Sequence, residues 1–273
     1  MNVSEGRDPA VLGALGRAAG DALLDVHADP DHHRAVLTLG GSGTEEAVRA
    51  LAGAALEHLD LSAHHGAHPR FGVLDVVPFV PLDDGGSPLA GAADLGEALA
   101  ARDRFAAWAG TALDLPCFWY GPERSLPEVR RRAFVDLVPD TGPPHPHPRA
   151  GACAVGARHA LVAYNLWLTG VGVEVARAVA GALRGPAVRA LGLDVGGRAQ
   201  VSCNLVDPAV AGPADVYDAV RRLTGEAGGT IERSELVGLV PAAVLGGTAR
   251  GRWAELDLDE DRTIEARLRR RPR

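Results

Sequence analysis

His64-His65-Gly66-Ala67-His68-Pro69-Arg70, followed by Phe71-Gly72-Val73-Leu74-Asp75-Val76-Val77-Pro78-Phe79-Val80-Pro81, sets three imidazoles and a guanidinium directly before an apolar run. The run is rich in Val and closed by prolines, which predicts a buried strand. Pro69 donates no backbone hydrogen bond and disfavours the α conformation at His68, so His68 is expected extended, on a loop or at the lip of that strand. A polar loop held at the end of a rigid strand is a common place for catalytic side chains. Asp75, inside the apolar run, must be paired or hydrogen-bonded to be tolerated there.

Outward from this stretch, strand-like and helix-like segments alternate. Asp8-Pro9 opens a helix whose apolar face is Val11, Leu12 and Leu15. Short strands are expected over Ala22–Val26 and Ala35–Leu39, joined by a His- and Asp-rich loop from His27 to Arg34. Thr44 reads as the N-cap of a helix carrying Val48, Leu51, Ala55, Leu56 and Leu59 at helical spacing. Further on come a helix over Leu95–Ala109 and a strand over Leu115–Tyr120. Strands over Leu161–Leu168, Gln200–Leu205 and Leu236–Val240 then alternate with helices over Val173–Leu183 and Ala214–Leu223. The alternation gives an α/β or α+β fold of layered sheets and helices. Asp140 to Pro148 holds five prolines and glycines in nine residues and is read as either a linker or a rigid loop shaped around a ligand. Two halves, 1–159 and 160–273, follow, with no internal sequence repeat in view.

Composition narrows the function. The chain has 273 residues, is 47% hydrophobic and only 4% aromatic, so its core is built from Ala, Val and Leu. A net charge of −7 without a face-long basic segment argues against a nucleic-acid partner, and the basic tail from Arg267 reads as a solvated terminus. All 28 basic residues are Arg, which excludes Schiff-base, P-loop and nucleophilic lysines. Cys117, Cys153 and Cys203 form no C-x-x-C pair, which favours a cytoplasmic location, and nothing points to a membrane.

Seven of the ten histidines fall between His27 and His68. Their spacing on Gly/Pro loops does not match a zinc motif, and general acid/base work suits a neutral imidazole better. Arg34 and Arg70 beside them suit bidentate binding of carboxylates, or else are exposed salt-bridging side chains. Asp25 and Asp75 are each placed to orient a histidine. Gly40-Gly41-Ser42-Gly43 lacks the nucleophile elbow of serine hydrolases.

These residues resemble a known family. Asn2-x-Ser4-Glu5-Gly6-Arg7, Leu23-Leu24-Asp25-Val26, His65-Gly66-x-His68-Pro69-Arg70-x-Gly72 and Leu74-Asp75-Val76-Val77-Pro78-Phe79 are similar to glutamate formiminotransferase, the transferase part of formiminotransferase-cyclodeaminase. In the second half the similar blocks are Gly151-Ala-x-Ala154-x-Gly156-Ala157-Arg158, Ala199-Gln200-Val201-Ser202-x-Asn204-Leu205 and Ser234 to Pro241. The resemblance runs in order along essentially the whole chain.

It implies two α/β subdomains with a tetrahydrofolate groove between them, and transfer of a formimino group from N-formimino-L-glutamate to N5 of tetrahydrofolate, which serves as co-substrate. The catalytic histidine is implied to be His68. From their own chemistry Arg34, Arg70, His27 and Asp75 are expected at the substrate. The folate loop is implied to be Gly142-Pro143-Pro144-His145-Pro146-His147-Pro148-Arg149-Ala150-Gly151. No cyclodeaminase segment follows, so only the transferase step is implied, and a homodimer is left open. The family's opening strand is not found ahead of Asn2, so a truncated or misassigned start is expected. Where the family commonly has Gly-Glu-His-Pro-Arg, Ala67 replaces the glutamate, and His33 stands where many members have Asn.

Two rival readings remain from the residues: a tetrahydrofolate-binding protein that has lost transfer, in view of Ala67, and a metal-dependent hydrolase using the histidines. The second has a direct test. Elemental analysis of protein purified without a His-tag is expected to find no stoichiometric transition metal, and one zinc per chain would reinstate the hydrolase.

Overall fold

The computed structural model describes residues 1–65, 70–88 and 95–271, and the chain divides into two compact units, Met1–His159 and Ala160–Arg273. In the first unit a six-stranded mixed sheet runs in the order β2-β3-β1-β4-β6-β5. Its strands are β1 (Asn2–Val3), β2 (Leu23–Asp29), β3 (Arg34–Leu39), β4 (Leu74–Phe79), β5 (Cys117–Tyr120) and β6 (Cys153–Ala157). The two-residue β1 pairs antiparallel with both β3 and β4, while β4, β6 and β5 are parallel. The helices are α1 (Pro9–Ala19), α2 (Thr44–His58), α3 (Gly96–Ala112) and α4 (Leu126–Arg132).

Local chemistry accounts for the helix ends. Asp8 Oδ1 accepts from the backbone N–H of Ala10 and Val11 at 2.8 and 3.3 Å, and Pro9 occupies the first turn where its missing N–H is no loss. The cap of α2 departs from expectation. Gly43, at φ +76°, takes the cap position, and Thr44 is the first helical residue, its hydroxyl donating backward to the Gly41 carbonyl at 2.5 Å. Other differences are additions. β2 runs on through His27 to Asp29 instead of ending at Val26, and β1, β6 and α4 were not legible as elements.

One face of the sheet carries α1, α2 and α3, whose Leu15, Leu51, Ala55, Phe105 and Ala109 bury against Val3, Leu37, Leu74, Val77 and Val155. Fully burying one such Leu or Phe stabilises by about 1.5–3 kcal/mol. The other face, over β4, β5 and β6, is covered by α4 and the turn after it, with Val76, Phe118, Val129 and Ala154 packed beside Phe71 and Phe134.

β4 serves both faces through a β-bulge. Val3 lies opposite Leu74 and Asn2 opposite Val76, so Asp75 is the extra residue. Leu74 and Val77 pack towards α1–α3, whereas Val76 packs towards α4. A bulge bends a strand and breaks its regular side-chain alternation, and here it leaves Leu74 and Val76 on opposite faces with Asp75 between them.

The second unit is a four-stranded antiparallel sheet ordered β10-β7-β9-β8. Its strands are β7 (Val162–Thr169), β8 (Val188–Val195), β9 (Arg198–Leu205) and β10 (Thr230–Val237), with α5 (Val173–Leu183) and α6 (Pro213–Glu226) crossing between them. Short helices α7 (Ala242–Gly246) and α8 (Ile264–Arg269) follow. Strand β8 was not foreseen, and the strand expected over Leu236–Val240 lies earlier, ending at Val237. Taken as strand-helix-strand-strand-helix-strand, the unit has spatial order 4-1-3-2, and β1 to β4 with α1 and α2 have that same order, to which β6 and β5 are added beyond β4. A repeat absent from the sequence is therefore present in the topology.

Gly72 marks where the first unit is tightest. A Cβ there would stand 1.9 Å from the Ala152 carbonyl oxygen, a backbone atom that cannot step aside. Gly72→Ala is expected to cost at least the upper end of the ~1–3 kcal/mol of ordinary overpacking, lowering the thermal midpoint by about 5 °C or more. Gly53→Ala, where the methyl meets nothing within 4 Å inside α2, is expected to raise it slightly. A melting curve of Gly72→Ala that overlays the wild type would contradict this packing.

Candidate functional site

The segment Asn2 to Gly6 works as a set of fasteners. Ser4 donates through Oγ to the Gly72 carbonyl at 2.8 Å and through its backbone N–H to Val73 O at 2.8 Å. Glu5 Oε1 accepts the backbone N–H groups of Gly6, Arg7 and Asp8 at 2.8, 2.6 and 2.9 Å. Gly6 has no room for a Cβ, which would fall 2.2 Å from Asp29 O. This ties the chain start to the β2–β3 turn on one side and to the Phe71–Val73 segment on the other.

In the β2–β3 turn, Asp29 Oδ1 accepts from Asp31 N and His32 N, both at 2.8 Å, and His33 follows at φ +49°. That left-handed conformation is the physical reason an Asn is comfortable at this position. His33 is held there by its ring. Nδ1 donates to His65 O at 3.0 Å, Nε2 lies 3.3 Å from Glu5 Oε1, and the ring stacks on His64 with centroids 4.0 Å apart. Burial works against ionisation of Glu5, but the N–H groups of Arg7 and Asp8, the facing His33 and the Gly6 N–H outweigh it and hold its carboxyl below the usual range.

His64 is held between two partners. Its Nε2 lies 3.0 Å from the His33 carbonyl and 2.9 Å from Nη1 of Arg70, which also approaches Nδ1. Burial first, then the Arg70 charge and His33, lower the imidazole from its ordinary 6.5 to about 4. His64 is thus neutral near pH 7. Arg70 Nη2 also donates to His32 O at 3.0 Å, so the two described ends of the His-rich loop, His65 and Arg70, are both fastened to His32-His33.

Asp75, with no exposed surface, is the centre of the charges. Oδ2 accepts Arg34 Nη1 at 2.7 Å and Arg130 Nη2 at 2.6 Å, and Oδ1 accepts Phe71 N at 2.9 Å. Burial would push its carboxyl up, but Arg34 and Arg130 overcome this and hold it low. Burial lowers the proton affinity of Arg34, and the Asp75 carboxylate works in the opposite direction to keep it charged. Its Nε donates to Asn2 Oδ1 at 3.2 Å.

The loop 142–151 joins the same place. His147 and Gly151 exchange backbone hydrogen bonds at 2.8 and 2.9 Å, and His147 Nδ1 accepts from Arg149 N and Ala150 N. Ala150 O accepts from Val73 N at 2.9 Å, Arg149 O from Leu61 N at 2.7 Å, and Gly151 sits at φ +71° with its Cα against Phe71 O. The segment is therefore a seated loop of the first unit and not a linker. Pro144, His145, Pro146 and Pro148 are exposed on it.

Of the residues singled out from sequence, Arg34, Arg70, Asp75 and the end of the 142–151 loop come together. His27 stands on the sheet-edge strand β2 opposite Val36. His68 and Ala67 lie outside the described residues. Asp75, expected to orient a histidine, instead directs its hydrogen bonds to two arginines and a backbone N–H. Arg130 was missed, although Ser125-x-x-Glu128 is a readable helix start, with Ser125 Oγ accepting Glu128 N at 3.3 Å. Among the described residues no cluster of three or more His, Cys, Asp or Glu is placed to hold a metal ion, and no helix is long and apolar enough to cross a membrane.

Comparison with known proteins completes the picture. A family model described as the formiminotransferase domain, N-terminal subdomain, matches residues 1–158. The chain is 34% identical over 272 residues to a glutamate formimidoyltransferase of Streptococcus pyogenes serotype M1, covering 89% of this chain and 88% of that protein. It is 31% identical over 297 residues to the glutamate formimidoyltransferase of Thermoplasma acidophilum, covering 98% and 95%. Against the formimidoyltransferase-cyclodeaminase of Sus scrofa it is 34% identical over 278 residues, covering 89% of this chain and 50% of that protein.

The His64 environment gives a pH prediction. Its folded pKa of about 4 lies below the ordinary 6.5, so the unfolded chain takes up the proton first. The resulting contribution is full above 6.5 and is lost as pH falls from 6.5 towards 4. His64→Asn is expected to flatten the decline of the thermal midpoint over that window, and an unchanged slope would refute the assignment.

Proposed function

We propose, from the premise that this chain belongs to the formiminotransferase family, that it is an enzyme moving a formimino group from N-formimino-L-glutamate to N5 of tetrahydrofolate. The observation that carries the reading is similarity along nearly the whole chain to two proteins named glutamate formimidoyltransferase. The cluster of guanidinium groups around Asp75 supports it, because the donor and the folate both carry carboxylates. In this reading residues 1–159 are the N-terminal subdomain with the catalytic loop and 160–273 the C-terminal subdomain. The cytoplasm is the expected compartment, in keeping with three buried free cysteines.

The chemistry follows from balancing one proton. N5 attacks the formimino carbon, and the C–N bond to glutamate breaks after the tetrahedral stage. His68 takes the N5 proton as the new bond forms and returns it to the departing glutamate nitrogen, so the enzyme ends as it began. Arg34 and Arg70 hold donor carboxylates, Asp75 acting through the arginine it fixes, with His27 further out along β2. The loop Gly142–Gly151 receives the folate on its proline-stiffened surface, where little ordering remains to be done on binding. Holding both substrates in reach supplies much of the acceleration.

Ala67 favours a second reading, a protein that binds tetrahydrofolate without transferring to it. One assay separates the two. Purified protein with tetrahydrofolate and formiminoglutamate is expected to form 5-formiminotetrahydrofolate, and His68→Ala to cut kcat by roughly 10²–10⁴-fold with folate affinity little changed. A His68→Ala variant with wild-type turnover sinks the acid/base role. Folate binding by calorimetry with no turnover in the wild type, regained in Ala67→Glu, would establish the second reading instead.

A further inference from the structure

Arg130 stands in the last turn of α4, and its side chain reaches the bulge of β4 from the face opposite α1–α3. Its Nη2 donates to Asp75 Oδ2 at 2.6 Å, the oxygen that Arg34 also reaches. The same guanidinium lies over the Phe71 ring, 5.6 Å from its centroid. Phe71 in turn donates its backbone N–H to Asp75 Oδ1 at 2.9 Å, and its carbonyl accepts Ala152 N at 2.9 Å. Arg130 therefore grips Phe71 twice, at the ring by a cation–π contact and at the N–H through a carboxylate it shares. Phe71 follows Arg70 directly and His68 by three positions.

We propose that Arg130 is a positioning residue for the reaction, bracing Phe71 and with it the neighbouring Arg70, which follow His68 in the sequence. Its catalytic consequence rests on the transferase reading; the brace itself does not. Arg34 cannot stand in for it. Arg34 compensates the Asp75 charge from β3, at the turn end of the strand, and spends its Nε on Asn2. Of these two cations, it is Arg130 that lies over the Phe71 ring. With Arg34 in place, Asp75 keeps a counter-charge when Arg130 is removed, so the loss is expected in local order more than in the fold. A displacement of about 1 Å in a proton-transferring group can cost about 10²-fold in rate.

The test compares Arg130→Ala and Arg130→Lys with the wild type by two readouts. Hydrogen–deuterium exchange reports on the Phe71 amide without reference to activity. Exchange there is expected to quicken in Arg130→Ala, with the β7–β10 amides unchanged. In the transfer assay Arg130→Ala is expected to lose about 10–100-fold in kcat, with KM for tetrahydrofolate and formiminoglutamate held within about threefold. Arg130→Lys, which keeps a charge on Asp75, should recover most of that loss. A purely structural role would instead lower the melting temperature and leave kcat alone wherever the variant is folded. Phe71 exchange that does not change, or a folded Arg130→Ala with wild-type kcat, overturns the proposal. Should Arg130→Ala not fold, Arg130→Gln takes its place under the same two criteria. A wild type inactive in transfer would fail the functional reading while the exchange result still decided the brace.

Discussion

A carboxylate buried without exposed surface costs several kcal/mol in lost hydration unless cations and hydrogen-bond donors replace the water. Asp75 meets that condition with two guanidinium groups and one backbone N–H, and the demand organises much of the first unit. It fixes where β3 begins, since Arg34 must reach across the short β1. It gives α4 a reason to lie on the far face of the sheet. Asp75 itself sits at the bulge, between Leu74 and Val76, which fall on opposite faces of the sheet. Removing one cation would leave the other and the Phe71 N–H to compensate the charge.

The chain passing this point is squeezed as well as charged. Gly72 and Gly151 are opposed across an isolated bridge, each without space for a side chain against the other's neighbours. Their close approach seats the end of the proline-rich loop on the residues just after Arg70. Loop and His-rich segment are thus two ends of one backbone contact. A loop so attached holds its exposed prolines and His145 in a fixed relation to Phe71 without needing regular structure of its own.

Much of this could be read from sequence, and what could not has identifiable causes. The strand from Leu74 and the helices announced by Asp8-Pro9 and by the Val48–Leu59 spacing are local signals, and they are where expected. β1 escaped because two residues carry no periodicity; its place in the sheet is set by neighbours on both sides. β6, Cys153–Ala157, is Ala- and Gly-containing and buried on both faces, so it offers no alternation to detect. The need to pair Asp75 was legible, but the identity of its partners was not, because Arg34 and Arg130 lie 41 and 55 residues away. The shared 4-1-3-2 order of the two units was equally hidden, since strand order depends on hydrogen-bonding edges and crossover lengths and tolerates unrelated side chains.

The histidines show how position overrides type. His64 sits four residues from His68 in a stretch that reads as one cluster of acid/base candidates. Yet burial and the Arg70 guanidinium take its pKa to about 4, and its ring is held between the His33 carbonyl and Arg70. A base that weak gains little driving force from accepting a proton near neutral pH, and its conjugate acid is almost absent there. What such a ring can do is accept from Arg70 and stack on His33, which is support. His33 is likewise occupied, between His65 O and Glu5, in a backbone conformation that its ring contacts sustain. The cluster of histidines therefore divides into side chains that hold the loop ends and whatever the loop presents between them. The density of imidazoles in the sequence overstates the number available for proton transfer.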